Sequence, residues 1–106
     1  MAATAVEPVH TDARTADPEL EPSPEAAAAR IAGLRDRIDE IDETIMALWL
    51  ERSALSQEVG ATRVASGGTR LVLAREREIL ERYRARLGAD GTQLALLVLR
   101  AGRGPL

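Results

Sequence analysis

The 106-residue sequence has no cysteine, no phenylalanine and no lysine. Without cysteine there can be no disulfide, no thiolate metal site and no cysteine nucleophile. The single histidine, His10, lies in a stretch rich in proline and acid, so a histidine triad or zinc site within one chain is not expected. Trp49 and Tyr83 are the only aromatics, and β-branched residues are sparse, which speaks against a sheet. No proline occurs between Pro24 and Pro105, so nothing in that span forbids a long helix. No apolar run nears the ~20 residues of a membrane span. No basic segment precedes an apolar one at the N-terminus, so no signal peptide and a cytoplasmic protein are expected. The commonest residues are Ala, Leu, Glu and Arg, strong helix formers. The expected fold class is all-α.

Charge is unevenly spread. Residues 1–25 hold six acids against Arg14, a net of −5, which leaves 11 acids and 13 arginines, a net of +2, for the rest. A mildly basic body suits a small anionic ligand better than a long nucleic acid, which usually needs a strongly basic face. Residues 1–24, with Pro8, Pro18, Pro22 and Pro24 among Ala, Thr, Asp and Glu, are expected to be disordered. Residues 25–106 form the expected functional domain.

Ser23, Pro24 and Glu25 read as a helix start, with Ser23 as cap and Pro24 in the first turn. From there Ile31, Leu34, Ile38, Ile41, Ile45, Leu48, Leu55 and Val59 recur in steps of three and four, with one gap after Leu48. A helix from about residue 25 to 64 would be roughly 60 Å long. The remaining residues are too few to cover its stripe, so the spacing predicts an intertwined homodimer. Ser66-Gly67-Gly68-Thr69 reads as a plain turn. A second helix is expected from about Val72 to Leu87, capped by Gly88, followed by a turn at Asp90-Gly91. A third is expected from about Thr92 to Ala101, apolar nearly all round and therefore buried, with residues 102–106 as a non-helical tail. Trp49 reads as core packing, and Arg82, Arg84 and Arg86 as a solvated face.

The gap in the long stripe carries the chemistry. Continuing its spacing from Leu48 lands on Arg52, and from Val59 on Arg63. Arg35 lies on the stripe edge, and Arg75 and Glu76 take the inward side between Val72 and Ile79. One arginine at a stripe edge can snorkel to water. Several in a bundle interior, against one Glu, leave positive charge that is costly to bury unpaired. Guanidinium forks bind carboxylates bidentately, so a small dicarboxylate is the natural ligand.

Four blocks in order, Leu34-Arg35-x-x-Ile38-x-x-Ile41-Asp42, Leu48-x-x-x-Arg52, Val59-Gly60-x-x-Arg63 and Arg75-Glu76, resemble the all-helical (AroQ-class) chorismate mutases. The stretch Arg63–Val72 and the closing Leu94-Ala95-x-Leu97-x-Leu99-Arg100-x-Gly102-Arg103-Gly104 resemble their short intracellular actinobacterial branch. The resemblance covers about residues 30–106. It implies rearrangement of chorismate to prephenate, without metal or cofactor. It further implies that Arg35 reaches into the partner subunit's site, and that Arg52 holds a carboxylate within its own. Arg63 takes the place of a cation at the carboxylate and ether oxygen, Arg75 is a further site arginine, and Glu76 binds the ring hydroxyl. Val72 stands where many relatives have an Asp contacting substrate, and no third-helix polar partner for the ether oxygen is evident. Both departures imply weak activity alone. The resemblance also implies a complex with 3-deoxy-D-arabino-heptulosonate 7-phosphate synthase, made through residues 66–70 and the C-terminal tail. Isochorismate-pyruvate lyase and a non-catalytic helical regulatory module remain alternatives.

Overall fold

The computed structural model describes residues 23–104. Three helices follow in order: α1 (Pro24–Ala65), α2 (Leu73–Leu87) and α3 (Ala89–Arg103), and no strand occurs among the described residues. The expected disordered stretch, residues 1–24, lies almost wholly outside the described residues, as do Pro105 and Leu106 of the expected tail.

The start of α1 follows from its cap. The Ser23 Oγ accepts a hydrogen bond from the Ala26 N–H at 3.1 Å, and the Ser23 carbonyl accepts one from the Ala27 N–H at 2.8 Å. Pro24, which has no N–H to satisfy, fits the first helical position. At the far end the Gly68 N–H donates to the Arg63 carbonyl at 2.7 Å and the Gly67 N–H to the Val64 carbonyl at 3.1 Å. With Gly67 at φ 91°, this is a Schellman stop, which uses a left-handed residue that glycine supplies without strain. It fixes Arg63 in the last turn.

Contacts divide the chain into two units, Met1–Ile38 and Asp39–Leu106. Within the first, α1 exposes Ile31, Leu34 and Ile38. Over the whole of α1 no residue is buried, and every member of the apolar stripe from Ile31 to Val59 is between 41 % and 57 % exposed.

The core lies in the second unit, where Ile79 of α2 and Ala95, Val98 and Leu99 of α3 are buried. The corner between the two helices is a single residue, Gly88, at φ 72° with its N–H on the Arg84 carbonyl at 2.8 Å. Two readings are corrected here. Asp90-Gly91 is not a turn but the first turn of α3. A side chain at Gly91 would collide with the Tyr83 carbonyl, so glycine there permits close packing rather than breaking the helix. Gly102 and Arg103 likewise belong to α3 and not to a non-helical tail. A Cβ at Gly102 would lie 2.6 Å from the Ser56 Oγ and 2.8 Å from the Ser56 Cβ, and the Gln57 Nε2 donates to the Ala101 carbonyl at 3.1 Å. Both hold the end of α3 against α1. The expectation that α3 is buried all round is also corrected: Leu94, Leu96 and Leu97 are at least 40 % exposed, because its own chain covers only one face.

Candidate active site

A cavity of about 340 Å³ opens within the Asp39–Leu106 unit. From α1 it takes Arg52, Ser56, Gly60 and Arg63, one turn after another along one face. The loop after α1 adds Arg70 and Val72, α2 adds Arg75 and Glu76, and α3 adds Arg103. Leu55, Val59, Ile79 and Leu99 supply an apolar lining between these charges. The cavity therefore carries five arginines and one carboxylate, a net of +4.

The sequence-expected residues converge with one exception. Arg52, Arg63, Val72, Arg75 and Glu76 all line this cavity. Arg35 is exposed, lies in the unit that ends at Ile38, and is not among the lining residues.

The arginines differ in how they are held. Arg52 and Arg63 make no ion pair among the described residues. Arg52 is half-buried, and Arg63, on the final turn of α1, is exposed. Arg75 places its Nη1 2.9 Å from the Glu78 Oε1, with both side chains more than half exposed, at 57 % and 63 %. Such a surface pair holds only weakly. Arg103 is the residue the sequence reading missed. Its Nη1 donates to both oxygens of Glu76, at 3.0 and 2.8 Å, with side chains only 25 % and 18 % exposed. The signal was present, since Arg103 stands four residues after Leu99 and eight after Ala95, on the buried face of α3. Reading Gly102 as a helix breaker cut that pattern one turn short. Arg70 was also passed over; the Cβ position of Gly60 lies 3.6 Å from its Cγ, so the small residue gives its stem room.

The chemistry on offer is electrostatic. No group of three potential metal ligands occurs among the described residues, and these include no histidine to activate Ser56, the one hydroxyl in the lining. Fixed guanidinium groups around a partly apolar cavity can orient a small anion and stabilise charge as it develops.

Helices, net charge and cavity size together define a helical protein whose arginine-lined cavity suits a small organic anion. The comparisons with known proteins carry this further. The chorismate mutase type II family model matches residues 34–98, and the chain belongs to that family. The intracellular chorismate mutase of Mycobacterium tuberculosis strain H37Rv is 46 % identical over 99 residues, spanning 93 % of each chain. That of Mycolicibacterium smegmatis is 50 % identical over 80 residues, or 76 % of this chain and 77 % of the relative. Among solved structures, a chain in the non-covalent complex of DAHP synthase and chorismate mutase from Corynebacterium glutamicum, with bound transition state analog, superposes with a TM-score of 0.72. It is 41 % identical and covers 76 % of this chain and 96 % of that one.

Proposed function

We propose that this protein is a chorismate mutase, converting chorismate to prephenate in the supply of phenylalanine and tyrosine, with the arginine-lined cavity as its site. One observation supports the assignment of the site above the others. Arg52 and Arg63 line one cavity with Glu76 while neither makes an ion pair among the described residues. Two cations left without partners beside an apolar lining fit a substrate that brings two carboxylates.

The reaction is an intramolecular Claisen rearrangement and needs neither a nucleophile nor a proton transfer. The flexible dianion must be held as a chair-like conformer, which is catalysis by orientation. Arg52 grips one carboxylate as a fork. Arg63 faces the ether oxygen, where negative charge grows as the C–O bond breaks, and a cation fixed there lowers the barrier. Glu76 accepts the hydrogen bond of the ring hydroxyl. Arg75 adds positive charge at the rim, and Val72 supplies an apolar wall.

The site is completed by a second copy. The stripe on α1 is left uncovered by the described residues, and an apolar face of that length is stable in water only when buried. In the intertwined homodimer Arg35 of one protomer enters the cavity of its partner. The protein works in the cytoplasm and associates with DAHP synthase, as the relative from Corynebacterium glutamicum does.

The test is the loss of chorismate absorbance with purified protein, alone and with the organism's DAHP synthase. Turnover above the spontaneous rate, rising with the synthase, is expected. Turnover that ignores the synthase discards the partner and keeps the enzyme. Pyruvate released from isochorismate, without prephenate from chorismate, would replace the mutase by a lyase.

A further inference from the structure

We infer that Arg103 is a positioning residue for the site, one that holds Glu76 in place and keeps it off the substrate-binding arginines. The inference rests on the role given to Glu76 above.

The pair is not a by-product of local helix geometry. Its members are 27 residues apart and join the first turn of α2 to the last residue of α3. A single nitrogen, Nη1, reaches both carboxylate oxygens, so each oxygen keeps capacity to accept another hydrogen bond. A substrate hydroxyl can then donate to Glu76 without displacing Arg103. Partial burial makes this contact stronger than the exposed Arg75–Glu78 pair, since water screens it less.

The backbone that carries Arg103 is anchored on several sides. Gly102 abuts Ser56, the Ala101 carbonyl accepts from Gln57, and the Gly104 N–H donates to the Arg100 carbonyl at 3.3 Å. Arg103 therefore offers Glu76 a fixed partner, which a mobile tail residue could not.

The second half of the argument is what Glu76 would do without it. The same cavity holds four other arginines. A half-buried carboxylate that loses its cation turns to the nearest remaining one. It would then neutralise an arginine that the anionic substrate needs. Arg103 thus keeps Glu76 satisfied and leaves Arg52 and Arg63 available.

The experiment is a double-mutant cycle of Arg103→Met and Glu76→Gln, read in two ways: kcat/KM for chorismate, and calorimetric affinity for prephenate as a stable dianionic probe. Alone, Arg103→Met should lower kcat/KM at least about tenfold, the scale of one lost hydrogen bond to a charged group. Prephenate should bind more weakly to it. With Glu76→Gln already present, the same change should cost less than about twofold in either readout, because no carboxylate is left to collapse. Arg103→Lys, which keeps one donor and the charge, should recover most of the loss. Equal losses with and without Glu76→Gln would overturn the inference, since Arg103 would then act on the ligand directly or on the fold. Thermal melts of every variant separate those two, and Arg103→Gln, which also removes the charge, gives the same cycle should Arg103→Met not fold. Failure of the parent protein to turn over chorismate would sink the proposed function, while the prephenate arm would still decide between a held and an unheld Glu76.

Discussion

α1 and α3 are both helices with apolar stripes, yet they stand in opposite conditions. α1 spans Pro24–Ala65 and buries nothing, whereas α3 packs five of its 15 residues (Gly91, Ala95, Val98, Leu99 and Gly102) out of water. Ala95 is fully buried, whereas Leu48, a far larger apolar side chain, is 56 % exposed. Hydrophobicity of sequence does not explain this. α3 has α2 one residue away, across Gly88, and two glycines that let backbones approach. α1 has a stripe that no described residue buries. One helix is completed by its neighbours, and the other is left open for the second copy proposed above.

The sharpest way to break this comparison is to charge the α1 stripe. Ile41→Glu leaves the isolated chain nearly untouched, because Ile41 is already 41 % exposed there. In a dimer it buries an unpaired carboxylate in both copies, at a cost of several kcal/mol. The expected result in analytical ultracentrifugation is monomer, with a large fall in helical circular dichroism and no chorismate turnover. An unchanged dimer would show that the stripe is not the interface. A stable monomeric helix would show that α1 needs no partner.

The next effect in size concerns charge on α1 and leaves the fold alone. Arg63 is exposed and makes no ion pair among the described residues, so Arg63→Ala should leave helicity and dimerisation intact. Its loss removes the cation proposed to face the ether oxygen, worth roughly 3–4 kcal/mol or 10²–10³ in kcat by analogy with deleted oxyanion-hole donors. Normal turnover in this variant would remove Arg63 from the site.

A third change tests the α3 side. Gly102→Ala drives a methyl group into Ser56, whose Cβ would be 2.8 Å away. Overpacking of this kind costs about 1–3 kcal/mol. Ser56→Gly in the same chain should return most of that loss, since it removes the atoms struck. Denaturant unfolding of the single and double variants measures the coupling. Additive losses would mean that the two backbones are not held where the structure places them.

The same contrast explains what could be read in advance. The start of α1, its stop near Ala65, the α2 span and the Gly88 cap all followed from Ser23, the Gly67-Gly68 pair and the three-four spacing of Leu and Ile. That Arg52, Arg63, Arg75 and Glu76 line one cavity was legible because each interrupts an apolar series. α3 was misread at both ends for one reason. Gly91 and Gly102 look like helix breakers in a sequence, and only the neighbouring Tyr83 carbonyl and Ser56 reveal them as close-approach sites. Arg103 was lost with that error. Arg35 remains an expectation of the family resemblance, since a residue that serves another protomer leaves no mark on its own chain.

The smallest expected effect concerns Arg75, which the resemblance puts in the site and which lines the cavity while its guanidinium rests on Glu78. With both side chains more than half exposed, that pair is worth at most about 0.5 kcal/mol. Glu78→Gln should therefore shift the unfolding midpoint barely, and should change kcat/KM by less than about twofold, because substrate can draw Arg75 inward at little cost in either protein. A clear rise in kcat/KM would show that Glu78 holds Arg75 away from the cavity, and that the exposed pair constrains the site as firmly as the half-buried pair of Arg103 and Glu76.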